Sequence, residues 1–293
     1  MLNNSIKDKM KILKIILVGM LIMSDVALAD LNTGLIAYYP FNGNANDESG
    51  QGKDGDVFGG ASLTTDRFGN ANSAYLFNGT SSYININLPT INTAIDSNVT
   101  MSFWIKWDGK NDGLPFGFES YDLWFSSGYF GFNTDQSDLW GTGSKKLANH
   151  WSFVTAIFNN GDITKSSLYI DGVKSKLTQK LGSPITKFVS TNARIGYYFG
   201  GCSFCYFGGS IDDVRIYNRA LTGAEIVALY DQSIPVSGTV KSLGTNTVVC
   251  KNETTGQTVE IASSKAKSYD CEAKGLNVKA GETASIFIKG VVQ

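Results

Sequence analysis

The side chains from which this chain could build a reactive centre are few, and their spacing decides what they can do. A retaining glycoside hydrolase needs two carboxyl groups about 5 Å apart on one surface. Between Asp30 and Gln232 the glutamates are Glu48, Glu119 and Glu225, and only Glu119 has a close acidic neighbour, Asp122. A spacing of three along a strand puts those two on opposite faces, so the pair argues against hydrolysis. The single histidine, His150, opens the segment His150-Trp151-Ser152-Phe153-Val154. A nucleophile and a base this close along one strand do not converge on a substrate atom, and nothing resembles a nucleophile elbow. Cys202-Ser203-Phe204-Cys205 has the C-x-x-C spacing of redox and zinc sites. It lacks both contexts, because no helical pattern follows it and one histidine cannot complete a metal set. The chain therefore reads as a non-enzyme.

What remains is binding chemistry. Trp107, Tyr121, Trp124, Tyr129 and Trp140 lie in one segment with Asp108, Asn111, Asp112, Asp135, Gln136 and Asp138. Rings beside short polar side chains are what sugar recognition uses, one stacking and the other hydrogen-bonding. Trp107, Tyr121, Trp124 and Trp140 are accordingly taken as ligand-binding candidates. Aromatic residues in strands also fill cores, so few of the group are expected to be exposed. A formal net charge of -1 with 17% charged residues leaves no basic footprint for nucleic acid.

These residues have to be positioned by strands. The chain has 32 Gly, 5 Pro, 13 Tyr and 17 Phe, a balance suited to many strands with tight turns. Val99, Met101, Phe103, Ile105 and Trp107 alternate with Thr100, Ser102, Trp104 and Lys106, which predicts a strand with one fully apolar face. Trp151 to Phe158 is apolar on both faces, as a covered central strand requires. Tyr121 to Phe125 with Tyr129 to Asn133 predicts a hairpin. So does Ser167 to Ile170 with Val173 to Lys176, through Asp171-Gly172. Asn78-Gly79 predicts a third, between Ser73 to Phe77 and Tyr83 to Leu88. Thr222 and Glu225 form a capping box for one short helix, with Leu221 stapled to Ile226.

Three stretches then carry a resemblance. Gly208-Gly209-Ser210-Ile211-Asp212-Asp213-Val214-Arg215-Ile216-Tyr217-Asn218-Arg219-Ala220-Leu221 resembles the closing strand of LamG-like jelly rolls, in the concanavalin A-like lectin/glucanase superfamily. Leu35 to Gly50 is similar to their opening strand and Asp-x-Ser-Gly loop, and Tyr169-Ile170-Asp171-Gly172 to their central hairpin. The resemblance implies an all-β jelly-roll sandwich closed by pairing residues near 36 with residues near 214. It also implies a structural calcium ion held by Asp212, with Asp47 as a less certain partner. Calcium takes six to eight oxygens, which a Gly- and Asn-rich loop can supply.

The ends of the chain have their own logic. Lys7, Lys9, Lys11 and Lys14, an apolar run from Ile15 to Met23, and Ala27-Leu28-Ala29 read as a bacterial-type signal peptide over residues 1–29. The mature chain is then expected to be secreted, periplasmic or at the cell surface, with no transmembrane segment. Residues 30–232 form the jelly roll and 233–293 a small β domain with strands near 236–240, 248–251, 257–261, 268–271 and 284–291. Four cysteines in an exported chain read as disulfides, and of three possible pairings the local one, Cys202 with Cys205 and Cys250 with Cys271, is the simplest. The expected partner is a glycan or an extracellular protein. A polysaccharide-active hydrolase and a structural component of a surface assembly are the other readings.

Overall fold

The computed structural model describes residues 31–110, 112–119, 121–134, 137–197, 199–200, 202, 205–232, 237–239, 246–252, 256–263, 268–270 and 284–289. The expected signal peptide lies outside the described residues. Sixteen strands build the larger part. In chain order they are β1 (Leu35–Tyr39), β2 (Asp56–Phe58), β3 (Ser62–Thr64), β4 (Ala74–Asn78), β5 (Tyr83–Asn87), β6 (Asn98–Trp107), β7 (Gly113–Phe118) and β8 (Tyr121–Ser126). Then follow β9 (Tyr129–Asn133), β10 (Leu139–Gly143), β11 (Ser152–Asn159), β12 (Ser167–Ile170), β13 (Val173–Lys174), β14 (Thr178–Leu181), β15 (Asn192–Ile195) and β16 (Gly208–Tyr217).

They form two antiparallel sheets of eight strands. The first runs β13-β12-β11-β6-β16-β4-β3 with β1 also on β16, and the second runs β14-β10-β9-β8-β7-β15-β5-β2. This is a jelly-roll sandwich, with its core between the sheets. Alternation in β6 works as sequence periodicity demands: Val99, Met101, Phe103, Ile105 and Trp107 all face the core. β1 pairs with β16, placing Ala37 opposite Ile216 and Tyr39 opposite Val214, so the two ends of the fold close on each other.

The turn at Asn78-Gly79 is not a hairpin. β4 belongs to the first sheet and β5 to the second, so the chain changes sheet there. The Asn78 side chain makes the corner: its Oδ1 accepts from the backbone N–H groups of Thr80 (2.9 Å), Ser81 (2.9 Å) and Ser82 (3.2 Å). A local turn motif says where the chain bends but not which strand it pairs with next.

Helix α1 (Gly223–Gln232) lies on the outer side of the first sheet, where Leu221, Ile226 and Leu229 cover Trp104, Phe153 and Tyr217. The capping box forms. Thr222 N–H donates to Glu225 Oε2 (2.7 Å), Glu225 N–H donates to Thr222 Oγ1 (3.3 Å), and Arg219 grips Glu225 with both guanidinium nitrogens (3.0 and 2.7 Å). The Arg219 bonds, outweighing burial, pull the Glu225 carboxyl down to about 2. A depressed acid stabilises the fold above its unfolded value near 4.5 and loses that contribution as pH falls through about 2. Glu225→Gln should therefore lower the melting temperature by several degrees at pH 7 and by little at pH 2.5. A gap of equal size at both values would show that the charge is irrelevant.

Beyond residue 232, strands β17 (Ser237–Thr239), β18 (Asn246–Asn252), β19 (Thr258–Ser263), β20 (Ser268–Asp270) and β21 (Ala284–Lys289) form two small sheets, β17-β20 and β19-β18-β21. Among the described residues these strands pair only with one another.

Candidate functional site

The outer face of the second sheet carries a polar row that crosses five strands. Asn85 on β5 stands opposite Arg194 on β15, Arg194 opposite Gly117 on β7, Gly117 opposite Asp122 on β8, and Asp122 opposite Asn133 on β9. Residues directly opposite in antiparallel strands share a face. Their chain neighbours Ile84, Ile86, Ala193, Ile195, Phe116, Phe118, Leu123 and Phe132 point into the core, so the row points outward. Arg194 Nε donates to Asn85 Oδ1 (2.7 Å) and Asn133 Nδ2 to Asp122 Oδ1 (3.0 Å). Gly117 leaves the middle of the row without a side chain. A Cβ there would come within 2.5 Å of the Asp122 Cβ, and a glycine inside a strand marks such close approach.

Rings flank the row. Phe58 on β2 stacks on Tyr83 (centroids 5.0 Å apart, 16°), Tyr83 meets Tyr197 (5.6 Å), and Tyr197 lies parallel to Tyr206 (3.8 Å, 4°). The Arg194 guanidinium sits against two of these rings and one more: 4.9 Å from the Tyr83 ring centre, 5.6 Å from Tyr197 and 4.0 Å from Phe199. A planar, weakly hydrated cation suits ring faces. Burial, and then the Tyr206 hydroxyl, push Tyr197 up to about 12, so its hydroxyl remains a protonated donor at neutral pH. Phe58 is 41% exposed, and Tyr83, Trp124, Arg194 and Tyr206 are half-buried.

The cysteine loop holds one wall of this surface. Cys202 and Cys205 are bridged, Leu114 N–H donates to the Cys205 carbonyl (3.1 Å), and Leu114 bridges Tyr206. Leu114, Tyr197 and Cys205 form a small cluster with Tyr83, Trp124, Cys202 and Tyr206 around it. Cys250 is also disulfide-bonded, and Cys271 lies outside the described residues.

The four aromatic residues singled out from sequence do not form one surface. Trp107 is in the core, stacked on Phe125 at 4.3 Å. Tyr121 is buried between the sheets with its hydroxyl 2.7 Å from Ser166 Oγ. Both are structural, because each sits at an inward position of its strand. Trp140 stands opposite Phe132, an inward residue, and packs half-buried on the core. Trp124 alone of the four is on the outer face, opposite Gly131 and beside the polar row. The surface instead uses Phe58, Tyr83, Asn85, Arg194, Tyr197 and Tyr206, whose meeting depends on strand register.

Asp212 and Asp47 were the implied calcium ligands, and their surroundings do not fit that ion. Asp47 accepts four hydrogen bonds: from the backbone N–H groups of Tyr38, Ser49 and Lys53 and from Ser49 Oγ, all at 2.9 to 3.0 Å. Against burial, these hold its carboxyl below the usual range. Its lone pairs serve its own loop. Asp212 faces Arg67 Nη1 at 2.5 Å. Among the described residues no group of three His, Cys, Asp or Glu side chains converges as a metal site.

A family model described as the concanavalin A-like lectin/glucanases superfamily matches residues 78–227, just over half of the 293. No curated protein matches the chain. Similar solved structures include the receptor-binding domain of botulinum neurotoxin C/D mosaic serotype, with TM-score 0.51 and 19% identity over 76% of this chain and 58% of that one. The botulinum neurotoxin serotype D ligand-binding domain in complex with N-acetylneuraminic acid gives 0.53 and 20%, over 78% and 59%. The serotype D/C VPI 5993 binding domain gives 0.52 and 15%, over 80% and 64%. This chain spans less than two thirds of each of those structures, and at such identities the likeness is one of fold.

Proposed function

The chain belongs to the concanavalin A-like lectin/glucanase superfamily, and on that premise we propose that it is an exported, non-enzymatic binding protein that recognises a glycan through the outer face of its second sheet. The observation that carries the reading is the row Asn85, Arg194, Gly117, Asp122 and Asn133, with Tyr83 and Trp124 both along the same side of it, around the Leu114, Tyr197 and Cys205 cluster. A sugar ring needs an apolar surface for its C–H face and fixed donors and acceptors for its hydroxyls. The half-buried Tyr83, Trp124, Asn85 and Arg194 offer both, while Gly117, Asp122 and Asn133 are buried and brace them from below. An extracellular protein meeting the same rings is the second form of the proposal, since half-buried Tyr, Trp and Arg are the residues that dominate protein interfaces. Export is proposed from the Lys-rich start, the apolar run and Ala27-Leu28-Ala29, with cleavage before Asp30.

Hydrolysis is disfavoured by the chemistry of the row. Asp122 is engaged by Asn133, and Glu119 lies in the turn after β7 rather than beside it. One of the similar folds was solved with N-acetylneuraminic acid, which makes sialylated glycans a sensible first set on an array alongside neutral ones. The full chain should retain a subset of glycans, and Trp124→Ala and Asn85→Ala should each weaken binding about tenfold or more, the share a central contact carries. Melting curves recorded on the same samples separate lost contacts from lost fold. Binding that survives both substitutions would remove the second sheet from the reading; retention of no glycan, with capture of an extracellular protein sensitive to Trp124→Ala, would favour the second form.

A further inference from the structure

At Asp212 the closing strand departs from regular β geometry. Consecutive strand residues normally point to opposite faces, yet Asp212 and Asp213 both reach Arg67, at 2.5 Å and 2.6 Å. A bulge in β16 makes this possible. Asp212 stands opposite Trp104 and Arg215 opposite Ser102, one residue more on β16 than on β6, and Asp213 takes up the surplus in the left-handed region (φ 51°). Val214 then turns inward to the core. Two adjacent carboxylates are thereby set side by side on the outer face of the first sheet.

Arg67 is built to meet them. It sits in the loop between β3 and β4, where Asp66 accepts from Phe68 N–H (2.8 Å), Asn70 N–H (2.9 Å) and Asn70 Nδ2 (2.9 Å) and so fixes the turn. The guanidinium lies 4.1 Å from the Phe68 ring centre and 4.8 Å from that of Trp104, and its side chain is 8% exposed. Tyr38, on β1, donates its hydroxyl to Asp213 (3.0 Å), and Arg215, over the Tyr38 ring, stands 3.7 Å from the same carboxylate. Two guanidinium groups thus face two carboxylates. A divalent ion added there would have to compete with Arg67 and Arg215 for the same carboxylates, and would leave the Arg67 guanidinium between two rings without its ion pairs.

We propose that Arg67 is the permanent cation of this jelly roll, doing within the chain what a bound divalent ion would do at Asp212: it ties β16 to the β3–β4 loop and to β6. The closing strand is then held at Asp212 without calcium.

The test is thermal melting of the full chain, the wild type with millimolar calcium or with chelator, and variants at Arg67, together with calorimetric titration of calcium into the wild type. The wild type should melt at one temperature in both media and show no calcium heat. Arg67→Ala should melt roughly 10 °C lower, because it leaves buried carboxylates unpaired. Arg67→Lys should fall between, since it keeps the charge but loses the planar fork. Asp212→Asn combined with Arg67→Ala should melt higher than Arg67→Ala alone, because the stranded charge is gone. If Arg67→Ala does not fold, the Lys variant and the wild-type titration still decide. A calcium-dependent rise in wild-type melting temperature that vanishes in Asp212→Asn would overturn the proposal, as would an Arg67→Lys variant indistinguishable from wild type.

Discussion

Phe158→Ala is expected to cost about 3 to 5 kcal/mol of stability, the range for a fully buried phenylalanine. Phe158 lies on β11 in the first sheet and has no exposed surface. Its ring meets three rings of the second sheet nearly at right angles: Phe118 (5.2 Å, 86°), Tyr121 (4.9 Å, 86°) and Phe132 (5.0 Å, 89°). Edge-to-face pairs contribute about 0.5 to 1.5 kcal/mol each beyond area burial, so this residue fastens the two sheets at one point. Sixteen strands cannot collapse around the resulting hole without shifting whole registers. In a domain of this size 1 kcal/mol moves the melting temperature by about 2 to 4 °C, which predicts a fall of roughly 10 °C or more. Denaturant titration of the variant should give a lower midpoint with an unchanged slope. A loss below about 2 kcal/mol would mean that neighbouring rings refill the site.

The strands that could be read from sequence are those whose order is local. β6 shows a strict two-residue period, and its apolar face is the one that meets the core. That same alternation already placed Trp107 with Val99, Met101, Phe103 and Ile105, so composition alone, a tryptophan near aspartates, was a poorer guide to its role than its strand position. β2, β3, β7, β10 and β14 are short or carry glycines where a period would show, so no alternation marks them in the sequence. The Asn78-Gly79 corner was read as a hairpin because sheet membership is decided by partners more than a hundred residues away: β4 joins β16, and β5 joins β15.

The candidate surface was the least legible part, for the same reason. Tyr83 and Arg194 are 111 positions apart in sequence, and only the β5–β15 register sets them side by side. Tyr206 is brought to Tyr197 by a turn that the disulfide closes. The cysteines themselves were visible, but not what they hold. Arg67 shows the limit most clearly. It stands in a loop without period or motif, 145 residues from Asp212, so a resemblance centred on Asp212 pointed to an external cation when the chain carries one of its own.

Gly209→Ala is expected to be among the most damaging single substitutions in the chain. Gly209 sits in β16 between two partners, opposite Trp107 on β6 and Phe77 on β4, with φ at 143°. That angle is one that side chains with a Cβ rarely adopt. A Cβ built there would overlap the Lys106 carbonyl oxygen and lie 2.9 Å from the Phe207 ring. Neither can yield cheaply. The carbonyl belongs to the β6 ladder, and Phe207 is fully buried against Phe77 and Phe125. β16 would have to move away from β6, and the displacement would reach the Asp212–Asp213 bulge three residues on, where Arg67 is held. The two defects are therefore coupled. Gly209→Ala and Arg67→Ala should lose less stability together than the sum of their separate losses, by more than the few tenths of a kcal/mol expected of independent sites. Folded protein recovered from Gly209→Ala at wild-type yield and melting temperature would show that the strand can adopt an ordinary backbone at this position, and strict additivity would place the bulge outside its reach.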